Sequence, residues 1–244
     1  MTMRAQYVTI FSIERRVSVK PARDGSEVQM AKNYIFDMDG TLVDSMEMFE
    51  NINCTLFENL GLPFTPEVSD ILKYIPVSDS SVYIAEHYDT PYTSSEIEHI
   101  LLETIREGYR TVGLKKGVAE YIAACRAAGV RMCIATGTLA SSALEVAERL
   151  GLMDDMEFLV SCSDVGKSKD HPDVFLLAAE RLGAAPSSCV VFEDGFPGAS
   201  SAVSVGFRAV GVYDSTATPE ETEGLHRICE RYIGSFDELC GEII

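Results

Sequence analysis

The sequence predicts an α/β protein built on a parallel sheet and interrupted after its first strand by an all-helical insert. Three observations predict it. From residue 33 onward, short apolar runs alternate with amphipathic segments of helical period. Three of the runs break abruptly into polar chemistry: NYIF (33–36) into Asp37-Met38-Asp39-Gly40-Thr41, VRMCIA (130–135) into Thr136-Gly137-Thr138, and CVVF (189–192) into Glu193-Asp194-Gly195. Between residues 46 and 112 no alternating strand pattern occurs, and the segments there read as helices. In an open parallel sheet, ligands bind beyond the carboxyl ends of the strands, so three strands with such endings point at one crevice.

Each element follows in order. Residues 1–32 hold six cations and three acids, which leaves a net charge of −21 on the remainder. The segment reads as a frayed or loosely docked extension with one short strand, VTIFSI (8–13), or as sequence preceding a native start at Met30. Arg15-Arg16 is followed by VSVKPARDG and not by an apolar stretch, so it is not an export signal. In the insert, MEMFENINCTLFENLG (46–61) and SSEIEHILLETIREGYR (94–110) are helical, and 12 acids face only Lys73, Arg106 and Arg110. Its ends, at 45–48 and 110–117, are the expected hinges. Helices are then expected at 118–129, 141–151 and 173–183, ending at Gly129, Gly151 and Gly183, with Pro172 at the start of the third. The expected division is an extension (1–32), a core (33–45 and 113–244) and a helical insert (46–112).

Composition narrows the function. The 244 residues are 46% hydrophobic and 24% charged, a globular profile, with 20 Lys+Arg against 38 Asp+Glu for a net charge of −18. No apolar run approaches the roughly 18 residues that suggest a membrane span. A chain this acidic has no general attraction for nucleic acid or an anionic membrane. An anionic ligand would need local positive charge, supplied by a metal ion and one or two placed cations. Seven cysteines without a C-x-x-C pair read as reduced thiols of a cytoplasmic protein, and the four histidines lack ligand spacing, so no His/Cys zinc site is expected.

Asp37 and Asp39 stand two apart at a strand end, so both side chains are expected on one side, and Gly40 permits the sharp turn that follows. Like charges that close repel unless relieved. Two solutions are open: a divalent metal, most naturally Mg²⁺ with oxygen ligands, or a division of labour into nucleophile and acid/base.

The wider context of the pair carries a resemblance. FDMDGTLVDS (36–45), Thr136 at the second strand end, KDHPDVF (169–175) and VFEDGFPG (191–198) occur in the order of the motifs of the haloacid dehalogenase-like superfamily of phosphohydrolases, which residues 33–244 resemble. The insert stands where that superfamily carries a helical C1 cap, as in its phosphoglycolate phosphatase and β-phosphoglucomutase branch. The resemblance implies a three-layer Rossmann-like parallel sheet core with an inserted all-helical cap domain. It implies Mg²⁺-dependent hydrolysis of a small-molecule phosphate monoester. Asp37 would attack phosphorus to form a phosphoaspartyl intermediate, and Asp39 would protonate the leaving oxygen and then activate water. The metal set would be Asp37, the Asp39 backbone carbonyl, Asp194 and Glu193. Thr136, Gly137, Gly40 and Lys169 would hold the phosphate. Lys169 is chosen over Lys167 because it stands three residues before Pro172. His171 and Asp173 read as loop and helix-start residues, and Asp44 and Ser45 as supports of the first loop.

Within the family, Asp39 favours phosphate monoesters over the dehalogenases and phosphonate-cleaving relatives, which lack the second Asp. The mutase branch carries a cap His five residues beyond the position of Asp44, where this chain has Phe49, so hydrolysis is favoured over a phosphosugar mutase. A non-catalytic binding module is the remaining alternative, disfavoured because no core position is missing. The acidic insert favours a neutral hydroxylated leaving group, such as a sugar or nucleoside. A second anionic group, as in phosphoglycolate or a bisphosphate, would call on Arg110 or Lys73. A monomer or homodimer is expected.

Overall fold

The computed structural model describes residues 33–72 and 77–244. The expected strand at 8–13 and Lys73 lie outside the described residues. Six strands, β1 (Asn33–Phe36), β2 (Arg131–Thr136), β3 (Leu159–Ser161), β4 (Cys189–Glu193), β5 (Arg208–Val212) and β6 (Arg231–Ile233), form one sheet in the order β3-β2-β1-β4-β5-β6. Every pair is parallel.

The period-2 alternation of the strands builds two cores. Tyr34 and Phe36 of β1, Met132 and Ile134 of β2, and Val190 and Phe192 of β4 face one side. There they meet Val118, Tyr121 and Cys125 of α5 (Val118–Ala127) and Ala143 and Val146 of α6 (Ala140–Arg149). Ile35, Cys133, Ala135 and Val191 face the other side, against Val174, Phe175 and Ala178 of α8 (Asp173–Arg181) and Ala202 of α9 (Phe196–Ser204). The short helix α7 (Cys162–Val165) follows β3, and α10 (Pro219–Ile228) precedes β6. The expected three-layer α/β sheet is therefore the observed one.

Boundaries shift by a residue or two. β2 extends to Thr136 and β4 to Glu193 because the ladder continues, with Thr136 opposite Ser161 and Glu193 opposite Gly211. The helix expected at 118–129 ends at Ala127, and Gly129 follows at φ +75°, the left-handed geometry that a residue with a Cβ adopts at a cost. Three strands are expected from their apolar runs. β3, β5 and β6 extend the sheet to both sides of them.

Residues 46–109 contain four helices, α1 (Met46–Leu60), α2 (Pro66–Leu72), α3 (Val77–His87) and α4 (Ser94–Tyr109), and no strand among the described residues. Ile52, Leu56 and Phe57 of α1 meet Leu72, Ile84, Ile97 and Leu101 in a cluster separate from the sheet's two. A reciprocal capping box of Thr93 and Glu96 starts α4. The two ends of the helical segment run side by side: the Asp44 amide donates to the Gly113 carbonyl (3.0 Å) and the Lys115 amide to the Leu42 carbonyl (2.9 Å).

Candidate active site

The register sets the site. Phe36 lies opposite Ile134 on one side and Phe192 on the other, so Asp37 leaves the sheet beside the ends of β2 and β4. The Asp37 amide still donates to the Phe192 carbonyl (2.9 Å), which pins its main chain as the strand ends.

Asp37, Glu193 and Asp194 are all buried and each offers a carboxylate oxygen, the three lying within 4.8 Å of one another. Lys169 reaches them from the loop before α8. Its ammonium bonds Asp37 Oδ1 and, at 2.8 Å, Glu193 Oε2. Lys167 instead pairs with Asp173 at 2.7 Å on the surface, so the two lysines part as the spacing to Pro172 indicates. His171 is exposed. Asp173 sits at the first turn of α8, where it pairs with Lys167.

Two glycines let the acids in. A Cβ on Gly40, which has φ +81°, would stand 2.2 Å from Asp194 Oδ2. One on Gly198 would stand 2.7 Å from the Glu193 carboxyl carbon. The Gly40 amide is committed to the Val43 carbonyl (2.9 Å), so what Gly40 contributes to a phosphate site is the missing Cβ and not its N–H. Thr41, which the motif spacing does not single out, donates to Asp194 Oδ1 at 3.1 Å.

The charges explain the proton affinities. Three carboxylates against one ammonium leave two negative charges uncompensated in a buried place. Burial, with Asp37 adding to it against the relief from Lys169, pushes the Glu193 carboxyl up to about 7. Burial and the charges of Asp37 and Glu193 hold the Asp194 carboxyl well above the ordinary range. For Lys169 burial works against the charge, but Asp37 and Glu193 outweigh it and raise its pKa. A hard divalent cation fits this deficit: the donors are all oxygens and the missing charge is two.

Asp39 takes a different surrounding. The Asp39 carboxyl is not one of the three acids of the cluster, yet it is near enough to Asp37 to feel its charge. Its Oδ1 accepts from Ser45 (2.7 Å) and Tyr109 (2.8 Å), and its Oδ2 from Thr138 (2.8 Å). Burial foremost, then the nearby Asp37 charge, raises the Asp39 pKa against those three hydrogen bonds. Burial and the Asp39 charge likewise push the Tyr109 phenol far up, so it stays a donor.

Thr136 is fully buried at the end of β2, and its hydroxyl accepts from the Thr138 amide (3.1 Å). Gly137 between them is exposed at the mouth. Ser161 at the end of β3 donates to the Thr138 carbonyl (2.7 Å) and braces that loop. Lys115, on the returning linker, spends its ammonium on the Gly40 carbonyl (2.7 Å), the Tyr213 carbonyl (2.6 Å) and Asp214 (2.8 Å). Arg106 and Arg110 line, with Tyr109 and Arg149, a cavity of about 310 Å³ between α4 and α6, and pair with Glu145 (3.1 Å) and Glu107 (3.0 Å). Phe49 sets its ring edge-on to Tyr109 at 5.8 Å.

Thr138, Tyr109, Thr41 and Lys115 are thus the site residues that sequence reasoning misses. Thr138 carries a signal, two residues beyond Thr136 in the same strand-end loop. Tyr109 carries none, because its place depends on how α4 packs on the core.

A parallel α/β sheet whose central strands end in a buried acidic cluster, a lysine and a separate carboxyl held by three hydroxyls is a setting for phosphoryl chemistry. Comparison with known proteins gives the family: residues 31–206 match the model of the haloacid dehalogenase-like hydrolases, and the chain belongs to that family. It is 30% identical over 199 residues to hexitol phosphatase A of Escherichia coli (strain K12), covering 79% of this chain and 88% of that one. It is 28% identical over 189 residues to β-phosphoglucomutase of Bacillus subtilis (strain 168), with 74% and 83% covered. The crystal structure of CbbY from Rhodobacter sphaeroides in complex with phosphate superimposes with a TM-score of 0.72 at 24% identity, over 88% of this chain and 98% of that one. The chain is accordingly a phosphatase, a hydrolase of phosphate esters. Among the described residues no helix is long and apolar enough to cross a membrane.

Proposed function

We propose that the chain hydrolyses small-molecule phosphate monoesters by covalent catalysis at Asp37, with Asp39 as general acid and base. The observation that carries this reading is the separation of the two carboxyls. Asp37 stands at the end of β1 beside the Lys169 ammonium and two further carboxyls that could hold a cation, while Asp39, two residues on, is held by three hydroxyls and has a raised pKa. Environments that differ this way suit one carboxylate to attack and the other to carry a proton.

In the first half-reaction an Asp37 oxygen bonds to phosphorus, the bond from phosphorus to the ester oxygen breaks, and Asp39 gives its proton to that oxygen. In the second, water attacks the phosphoaspartate, Asp39 takes a proton from it, and the bond from phosphorus to Asp37 breaks to release inorganic phosphate. Lys169 neutralises charge on Asp37 and on the incoming phosphate. Thr136 and Gly137, at the end of β2, face the transferring oxygens. Asp37, Asp194, Glu193 and the Asp39 carbonyl would hold Mg²⁺, which when bound supplies the positive charge that lets an anionic nucleophile approach a phosphate dianion.

The helical segment 46–112 acts as a cap over the core 33–45 and 113–244, and loop motion at its ends gates substrate and water. A neutral hydroxylated leaving group fits it best. Arg106 and Arg110 are each paired with a glutamate, so the charge a second anion would need is already answered. Hydrolysis is preferred to the mutase reaction because Phe49, packed on Tyr109, offers no proton-carrying group at the cap position. We place the enzyme in the cytoplasm, as a monomer or homodimer, in keeping with seven cysteines that form no disulfide.

The test is inorganic phosphate release from a panel of monoesters, with Mg²⁺ and with EDTA, by the wild type and Asp37→Asn. Metal-dependent release lost in the variant is the expected result, with sugar or nucleoside phosphates ahead of phosphoglycolate. No release from any ester, with a sugar 1-phosphate isomerised instead, would replace the reading with a mutase.

A further inference from the structure

The Asp39 carboxyl has four lone-pair positions, and three are filled by hydroxyl donors. Oδ1 takes both of its bonds, from Ser45 at 2.7 Å and Tyr109 at 2.8 Å, whereas Oδ2 takes one, from Thr138 at 2.8 Å. Oδ2 thus keeps one position that none of the three hydroxyls fills.

Ser45 and Thr138 sit in the loops after β1 and β2. Tyr109 comes from elsewhere, the last turn of α4, and it is fixed at three points. Its ring is buried at 3% exposure and packs edge-on against Phe49 at 5.8 Å. Arg149 of α6 donates from Nη2 to the Tyr109 carbonyl (2.8 Å) and the Val112 carbonyl (2.6 Å), at a helix end whose carbonyls lack partners within the helix. The hydroxyl meets Asp39 Oδ1 and lies 3.1 Å from Thr138 Oγ1. A side chain held by its main chain, its ring and its hydroxyl has no freedom to follow Asp39; it sets where Asp39 can be.

We propose that Tyr109 is the positioning residue for Asp39: with Ser45 it occupies Oδ1, fixes the plane of the carboxyl, and leaves Oδ2 as the oxygen presented to the ester. This rests on the acid/base role of Asp39 given above. The Tyr109 hydroxyl touches no reacting atom, and the proton that moves is that of Asp39.

The experiment uses Tyr109→Phe, which keeps the ring and removes the hydroxyl, with Ser45→Ala as the companion that empties the other position on Oδ1. Each is assayed for kcat/KM on p-nitrophenyl phosphate, whose leaving group departs without a proton, and on a hexose 6-phosphate, whose alkoxide does not. General acid catalysis contributes about a hundredfold or more, so the expected loss on the sugar ester exceeds that on the aryl ester by about tenfold. Equal losses on the two esters overturn the proposal, since a merely structural defect would not distinguish leaving groups. A second readout needs no activity: a double-mutant cycle of Tyr109→Phe and Asp39→Ala on melting temperature, in which the combined shift is expected to fall short of the sum. Additive shifts overturn the contact. A wild type that releases phosphate from no ester overturns instead the reading of the site, whatever the cycle shows.

Discussion

Replacing Lys115 with methionine keeps the aliphatic stem and removes three hydrogen bonds together. The Lys115 side chain is 14% exposed and the Asp214 side chain 4%, so the pair is largely withdrawn from water. Asp214 would keep only the Thr216 amide and hydroxyl, each at 2.9 Å, and the Gly40 and Tyr213 carbonyls would lose a charged donor. Breaking a buried ion pair by deleting one partner costs about 3–5 kcal/mol. Against a typical total of about 5–15 kcal/mol, that is at least about a fifth of the stability of the fold. The assay is urea denaturation followed by far-UV circular dichroism, since the chain has no tryptophan. Lys115→Met/Asp214→Asn should recover part of the loss, because it no longer strands a buried charge. The pH dependence has a definite sign. Burial works against ionised Asp214, but Lys115 and the Thr216 bonds outweigh it and lower its pKa. The stabilisation is therefore complete above the unfolded pKa of about 3.9 and is lost as pH falls through the lower folded value, so Lys115→Met should flatten the acid limb. A loss below about 1 kcal/mol, the size of an exposed pair, would refute the reasoning.

Three further outcomes are expected. Gly40→Ala should abolish metal-dependent phosphate release while the protein stays folded, because its Cβ would drive Asp194 from its place; unchanged metal affinity by calorimetry would contradict this. Lys169→Ala should lose activity by at least about a hundredfold while Lys167→Ala stays within about twofold, since only the former touches Asp37; equal effects in a phosphate-release assay would undo the assignment. With Glu193 raised by burial from 4.5 to about 7, the folded metal-free protein holds a proton that the unfolded chain lacks, so its stability falls as pH rises across that interval. Mg²⁺ should then raise the melting temperature more at pH 8 than at pH 5, and a shift independent of pH would argue against these carboxylates as ligands.

Much of this arrangement is legible in the amino-acid sequence, for physical reasons. A buried strand that breaks into acids, as NYIF does at Asp37, announces itself through contrast between neighbours in sequence. The glycines at 129, 151 and 183 mark helix ends because left-handed backbone is cheap only there. The choice of Lys169 over Lys167 follows from the resemblance, which places the lysine three residues before a proline, here Pro172. What is not legible depends on long-range packing. Tyr109 and Thr138 are 29 residues apart and Lys115 and Asp214 are 99 apart, and nothing local to either member of a pair signals the other. The strands β3 and β6 are three residues each, too short for a period to show. The surroundings of Asp39 are not legible either, because the hydroxyls on its carboxyl come from Ser45, Tyr109 and Thr138, as far as 99 residues away.

The paired ends of the helical segment have a consequence for how such a protein can change. Val43 and Leu114 form an antiparallel bridge, with the Asp44–Gly113 and Lys115–Leu42 bonds on either side. The chain thus departs and returns through adjacent doorways, and every strand register lies outside them. A lineage can lengthen, shorten or exchange α1 to α4 without disturbing a rung of the sheet or Asp37 at the end of β1. Diversification of what is admitted is decoupled from preservation of what is done to it. Tyr109 and Arg149 mark where that freedom stops, since a replacement segment would still have to deliver a hydroxyl to Asp39.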